Sequence, residues 1–114
     1  MSNSTITIDV EMDETRVPAS ISWAASDTGA EQKQKAKAMM VSFWDSAEKA
    51  ALRIDLWTKD MMVDEMADFY YQTFMGMADT FMRATQQQEL VEDMKAHAKT
   101  FYKKFRDSQI NQNK

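Results

Sequence analysis

The feature that most restricts the fold is a change of hydrophobic period near residue 58. Before it, apolar residues recur at every second position in several short stretches, and after it they recur every three or four positions. A period of two is typical of strands that bury one face, whereas a period near 3.6 is typical of amphipathic helices. The sequence therefore predicts strands in the first half, helices in the second half, and an α+β fold.

Two stretches near the start predict a β-hairpin. Their apolar side chains are, in order, Ile6, Ile8, Val10 and Met12, then Val17, Ala19, Ile21 and Trp23. A four-residue turn at 13–16 would place Ile8 opposite Ile21 and Ile6 opposite Trp23, so that both strands show their apolar side chains on one face. Pro18 has no N–H to donate, so we expect it on an open edge or at the first residue of its strand.

A second hairpin is predicted after a polar surface connection at 26–35. Residues 36–45 form its first strand, "SAEK" at 46–49 its turn, and the strand "LRIDLW" ends at residue 57. This register pairs Phe43 with Leu52, Val41 with Ile54 and Met39 with Leu56. One face of the hairpin is then wholly apolar, and we expect the helices to cover it.

Two amphipathic helices are predicted at 60–106, interrupted by "TQQQ" at 85–88. Their apolar rows are Met62, Met66, Phe69, Thr73, Met77 and Phe81, then Leu90, Met94, Ala98, Phe101 and Phe105. Acidic residues come first and basic residues last in the second helix, as the helix dipole favours. The chain is thus expected to be one domain: a four-stranded antiparallel sheet at 1–58, a helical hairpin packed on one face, and a frayed polar tail at 107–114.

Composition excludes several classes of function. The 18 acidic and 14 basic residues give a net charge of −4, a sign that disfavours a broad grip on nucleic acid or anionic lipid. The absence of cysteine excludes disulfides, thiolate zinc sites and a thiol nucleophile. No 18-residue apolar run and no signal-peptide pattern occur. We therefore expect a cytoplasmic protein without membrane insertion and without a nucleic-acid partner.

Few residues suit catalysis or metal binding. His97, the only histidine, is expected at a partly buried, hydrogen-bonded position at the margin of the core. Asp64 and Asp68 lie one helical turn apart, but acids at a helix start favour the helix dipole without needing a cation. Asp55 and His97 would point to opposite sides of the predicted sheet, which argues against an acid–base pair. We expect no catalytic residue, no metal and no cofactor.

The other face of the second hairpin carries the candidate binding residues, Met40, Trp44, Arg53, Asp55 and Trp57. In one interpretation the tryptophans lie over the Arg53 guanidinium, with Asp55 or Asp45 pairing it, and the cluster only stiffens the sheet. In the other, the face docks a protein partner or a second copy of the chain, because Trp, Arg and Met are enriched at the centres of interfaces.

The segments "ITIDVEMDETRVPASISWAASD" and "WDSAEKAALRIDLWTKDM", with shorter ones at 63–66, 77–85 and 89–94, resemble the gliding-motility-associated GldC family of gliding Bacteroidota and their relatives. The resemblance covers about residues 4–96. Two departures are Met62, where a proline is expected at the helix start, and a longer, more basic C-terminal end.

This resemblance implies a small non-enzymatic accessory protein associated with gliding motility and the linked secretion machinery. Our leading hypothesis is that its sheet surface around Trp44, Arg53, Asp55 and Trp57 docks a protein of that apparatus. Self-association through the sheet face or an edge strand is a further expectation. The competing hypothesis is a small-ligand binder, or an enzyme, that uses a cavity between the sheet and the helices.

Overall fold

A computed structural model describes residues 2–26 and 32–112 of the chain. The chain forms two compact units, Met1–Met61 and Met62–Lys114, which are described separately. The α+β class is confirmed, with strands in the first unit and helices in the second. The elements are β1 Ile6–Met12, β2 Pro18–Ala25, β3 Gln34–Ala36, β4 Ala38–Asp45, β5 Ala50–Trp57, α1 Val63–Thr85 and α2 Gln88–Gln112.

The prediction of a single four-stranded sheet is wrong. The strands form two antiparallel sheets, one with the order β1-β2-β3 and one made of β4 and β5. The chain bends at Lys37, which divides the predicted strand at 36–45 between them. Ala36 pairs with Ile21 in the first sheet, whereas Ala38 pairs with Trp57 in the second. Residues 27–31 of the predicted surface connection lie outside the described residues, and its last two residues belong to β3.

The first hairpin exists, but its predicted register is wrong by two residues. Ile8 lies opposite Trp23 instead of Ile21. The turn is longer than predicted because the Asp13 carboxylate accepts hydrogen bonds from the Val17 N–H at 3.0 Å and from the Thr15 N–H at 2.8 Å. From Ile6 to Glu11 the shift of two residues keeps each side chain on its predicted face, and the register then changes between Glu11 and Met12, so that Met12 pairs with Pro18. Pro18 is the first residue of β2, as one of the two predictions for it required.

Ile21 is the centre of the three-stranded sheet. It pairs with Val10 on one side and Ala36 on the other, and only 1% of its surface is exposed. A central strand covers its own side chains with those of both neighbours, which the outer strands cannot do. Ile6 at the outer end of β1 is accordingly 72% exposed.

The two sheets meet where β5 ends. The N–H of Thr58 donates to the Lys37 carbonyl at 2.7 Å, and the N–H of Lys59 donates to the Pro18 carbonyl at 3.3 Å. Thr58 is buried, and its hydroxyl donates to the Asp60 carboxylate, which lowers the pKa of Asp60. The Lys59 ammonium also pairs with Asp13 at 3.2 Å. These contacts connect the end of the second sheet to the first turn and to β2.

The helices differ from their predicted bounds at both ends. α1 begins at Val63, and the N–H of Met62 donates to the Glu65 carboxylate at 3.2 Å, a contact that caps the first turn. α2 ends at Gln112, so residues 107–112, expected to fray, are helical. The segment contains no glycine or proline, and an ion pair of 3.1 Å between Lys103 and Asp107 extends across the predicted end.

The buried positions of the helical unit carry small side chains, and aromatic pairs such as Tyr71 with Tyr102 also cross between α1 and α2. The buried positions are Ala67, Ala78, Val91 and Ala98. On α1 the buried row lies one residue later than the predicted row through Met66 and Met77. The Tyr102 hydroxyl donates to Asp68 at 2.6 Å, and this hydrogen bond raises the pKa of Tyr102. The packing of the helices on a sheet face stays a prediction.

Candidate functional site

The β4–β5 hairpin that carries the candidate residues is shaped by its turn. The Asp45 carboxylate accepts hydrogen bonds from the N–H groups of Ala47 at 3.0 Å and Glu48 at 3.2 Å. Lys49 then adopts a left-handed conformation with φ of 52°. An aspartate that accepts N–H groups two and three residues later favours a tight turn. This turn fixes which residues of the two strands face each other.

The predicted register of this hairpin is confirmed. Phe43 pairs with Leu52, Val41 with Ile54 and Met39 with Leu56. Because side chains alternate along each strand, the register also fixes the other face. We call that other face the tryptophan face; it consists of Ala38, Met40, Ser42 and Trp44 on β4 and of Ala51, Arg53, Asp55 and Trp57 on β5.

The tryptophan face has four cross-strand rows. From one end to the other the pairs are Ala38 with Trp57, Met40 with Asp55, Ser42 with Arg53, and Trp44 with Ala51. Successive rows on one face are about 7 Å apart, so the two tryptophans stand about 20 Å apart at opposite ends. All of the predicted binding residues therefore share a face, but they are spread along it.

The two charges at the middle of the face form an ion pair. Arg53 Nε and Nη2 donate to the Asp55 carboxylate oxygens at 3.0 and 2.8 Å. This two-pronged geometry holds both side chains in place more firmly than a single contact does. Of the two acids predicted to pair with Arg53, Asp55 forms this contact, and Asp45 supports the turn. The stacking of the tryptophans on Arg53 stays a prediction.

Both tryptophans are largely open to solvent. Trp44 is 66% exposed and Trp57 is 56% exposed. Each lies opposite an alanine, so its cross-strand neighbour offers little surface to cover the ring. The sequence analysis did not identify Ala51 as part of the face, although the register that it predicted contains this residue.

The opposite face of the hairpin is also exposed, which corrects the predicted core. Phe43, Leu52 and Ile54 keep half or more of their surface open, and no residue of β4 or β5 is buried. Among the described residues of the first unit, the hairpin is two strands wide and pairs with no third strand. An isolated two-stranded hairpin is marginally stable in water. Its apolar side chains therefore need cover.

A second apolar feature lies on the helical unit and was not predicted. Phe74, Met77, Met94, His97 and Phe101 line a groove of about 420 Å³. Phe74 and Phe101 meet edge to face, with ring centroids 5.4 Å apart. His97 is exposed, so the expectation of a partly buried histidine is wrong. The spacing of Met94, His97 and Phe101 on one helical face was the signal available in the sequence.

Neither a metal centre nor a membrane-spanning helix is found in the described part of the chain. Among residues 2–26 and 32–112, no three acidic or histidine side chains are grouped so as to hold a metal ion. No described helix combines the length and apolar character needed to cross a bilayer. The tryptophan face and the helical groove are thus the features that we consider for binding.

These features define a small α+β protein with an exposed β-hairpin. Residues 18–107 match the family model described as "Gliding motility-associated protein GldC-like", and the chain belongs to this family. The matched region includes β2 to β5, α1 and most of α2. No curated protein and no solved structure matches the chain.

Proposed function

We propose that the protein is a non-enzymatic accessory factor of gliding motility and of the linked secretion machinery. It acts by docking a protein of that apparatus on the tryptophan face. Family membership supports the association with gliding motility. The docking itself is argued from the exposure of Trp44 and Trp57 at the two ends of one face.

The chemistry of the face suits a protein partner. Tryptophan and arginine are the residues that most often carry the binding energy of an interface. The fixed Arg53–Asp55 pair between the two rings offers both charges to a partner and so favours one orientation over others. On this face the Asp55 carboxylate is bound to Arg53, and Ser42, the one hydroxyl, lies opposite Arg53, an arrangement that is suited to binding and not to acid–base catalysis.

Affinity capture from the native cell tests this proposal. With tagged wild-type protein we expect a component of the motility or secretion machinery to be retained. The Trp57→Ala variant should reduce its recovery at least tenfold, because loss of a tryptophan that anchors an interface commonly costs about 2 kcal/mol or more of binding. Phe43→Ala is the matched control, since Phe43 is an exposed aromatic residue on the opposite face of the same hairpin.

The control decides how the result is interpreted. Equal recovery with wild type and Trp57→Ala would refute docking on the tryptophan face. Equal loss with Trp57→Ala and Phe43→Ala would point to a damaged hairpin, so circular dichroism melting of both variants is measured in parallel. The proposal requires that Trp57→Ala loses the partner while it melts within a few degrees of Phe43→Ala.

The helical groove supports a second candidate function, the binding of a small apolar molecule. Its volume of about 420 Å³ is within the usual range of ligand pockets. His97 is the only ionisable residue among those that line it, so the groove fits binding better than acid–base chemistry. Native mass spectrometry of protein purified from its own host, compared with a Phe101→Ala variant, would detect such a ligand.

A further inference from the structure

We infer that the tryptophan face binds a second copy of the chain, in a two-fold symmetric dimer with the β5 strands of the two copies antiparallel. The inference rests on the proposed function, because it names the protein that occupies the docking face when no motility component is bound. Its basis is the order of side chains along the face. When a second copy presents this order in reverse, each side chain lies opposite one of complementary size or opposite charge.

The β5 half of the face shows this complementarity most clearly. Its outward residues are Ala51, Arg53, Asp55 and Trp57, in the order small, positive, negative, large. When a second copy is reversed and placed on the first, Arg53 of each copy faces Asp55 of the other. Trp57 of each copy then faces Ala51 of the other, so a large side chain meets a small one.

The β4 half follows the same rule. Its outward residues are Ala38, Met40, Ser42 and Trp44. Reversal places Trp44 opposite the alanine of the other copy and Met40 opposite Ser42. Every row of the face therefore meets a row of complementary size or opposite charge. An interface formed by one patch on both subunits needs this kind of self-complementarity.

The charges select one of two possible two-fold arrangements. If the symmetry axis ran along the strands, β5 of one copy would lie on β4 of the other. The tryptophans would still face alanines, but Arg53 would face Ser42 and Asp55 would face Met40. That arrangement leaves both charges against uncharged side chains. With the axis across the strands, the four charges form a closed alternating ring, which is the better-satisfied arrangement.

The geometry of the existing ion pair permits such a ring. Arg53 directs Nε and Nη2 to Asp55 within its own chain. A guanidinium has five N–H donors, and a carboxylate can accept about four hydrogen bonds. Each group can therefore keep its partner within the chain and also contact the opposite charge of the second copy.

The expected dimer is weak. A face about 20 Å long and two strands wide buries on the order of 400 Å² per copy, which is below the roughly 800 Å² per partner of a standard interface. Interfaces at this small end of the size range are typical of weak, transient encounters, so we expect a dissociation constant in the micromolar range or weaker. A weak dimer covers the tryptophans in the free protein and still releases the face to a motility component.

Charge reversal tests the inference directly. Arg53→Asp places a carboxylate against Asp55 of the other copy, and Asp55→Arg places two arginines together. We expect each variant alone to have a dissociation constant at least tenfold higher than wild type in sedimentation equilibrium, because like charges in contact oppose association. An equimolar mixture of the two variants should recover dimers, because every facing pair then has opposite charges.

The mixture distinguishes pairing between copies from stabilisation within one chain. Neither variant regains the Arg53–Asp55 pair within its own chain on mixing, so only a contact between chains explains recovery. The double variant Arg53→Asp/Asp55→Arg, which has opposite charges both within and between chains, should dimerise like wild type. Melting curves of each variant establish that it is folded.

Several outcomes would overturn the inference. These are a wild-type protein that stays monomeric at concentrations up to about 1 mM, a dimer that charge reversal does not weaken, and a mixture that fails to recover. None of them decides the proposed function, which the capture experiment tests separately. Loss of a motility partner from Trp57→Ala, with wild-type protein monomeric, would keep the docking function and remove the dimer.

Discussion

Strands β2 and β5 share an alternating pattern, yet they bury their apolar side chains to very different extents. Ile21 on β2 is 1% exposed, whereas Ile54 on β5 is 51% exposed. β2 has a hydrogen-bonded neighbour on each side, and β5 has one neighbour. Alternation shows which side chains share a face, but the number of neighbouring strands decides how far that face is covered. The covered strand contributes to the core, and the uncovered hairpin keeps its apolar side chains exposed.

The largest expected effect comes from truncating the same residue type in both strands. Ile21→Ala should lower the free energy of unfolding by about 2–5 kcal/mol, because it leaves a cavity at a buried position. Ile54→Ala should cost about 1 kcal/mol, because half of the side chain is already in contact with water. Urea unfolding of both variants measures the difference. Equal losses would show that the β4–β5 hairpin is as well covered as β2.

This contrast shows what the sequence could predict and what it could not. The register of β4 and β5 follows from alternation and a short turn, both of which are local, and it was predicted correctly. β3 was missed because its three residues are polar or small and show no alternation. The burial of Ile21 depends on β3, since Ala36 is its neighbour there. Missing this short strand is thus the reason that one four-stranded sheet was predicted where the structure has two sheets.

The candidate site was predictable to the same degree. Alternation along the two strands was enough to identify the residues of this face, and they do share it: Met40, Trp44, Arg53, Asp55 and Trp57. The distances between these residues along the face follow from the order of the cross-strand pairs. On α1 the buried row lies one residue later than predicted because alanines form it, and alanine gives a weak signal in a hydrophobic pattern, whereas the buried Ala98 of α2 belonged to the predicted row.

The turn of the first sheet should make the stability of the protein depend on pH. The pKa of Asp13 is held far below the ordinary aspartate value of about 3.9, mainly because the Val17 N–H and Thr15 donate hydrogen bonds to its carboxylate. A lowered pKa means that the stabilisation is complete above the ordinary value and is lost as pH falls through the folded-state value.

Asp13→Asn should therefore lower the melting temperature by several degrees at neutral pH. The difference in melting temperature between wild type and this variant should stay constant down to about pH 5 and then decrease on further acidification. Thermal melts from pH 7 to about pH 2 measure this. Glu14→Gln, an exposed neighbour in the same turn, is the control and should show no such difference. A difference that increases in acid would contradict the assigned role of Asp13.

The smallest expected effect concerns the turns of the two hairpins, each of which contains a residue in the left-handed conformation. These are Arg16 with φ of 63° and Lys49 with φ of 52°. Glycine adopts this conformation without steric cost, so replacement of either residue by glycine should stabilise its own turn by about 1 kcal/mol. The two replacements should differ in the measurement that shows the stabilisation, because one turn belongs to a hairpin with buried side chains and the other to a hairpin without them.

Arg16→Gly acts on a turn that Asp13 and Lys59 connect to the rest of the unit, so its gain should be seen in the global unfolding midpoint. Lys49→Gly acts on a hairpin with no buried residue, which can open locally before the protein unfolds. Its gain should be seen as slower amide hydrogen exchange at Val41 and Ile54, with a smaller change in the midpoint. Glu48→Gly, which relieves no left-handed residue, should lower protection. The contrary outcome is that Lys49→Gly shifts the unfolding midpoint as much as Arg16→Gly does and leaves local hydrogen exchange unchanged. The hairpin would then open only when the whole protein unfolds, in spite of its exposed side chains.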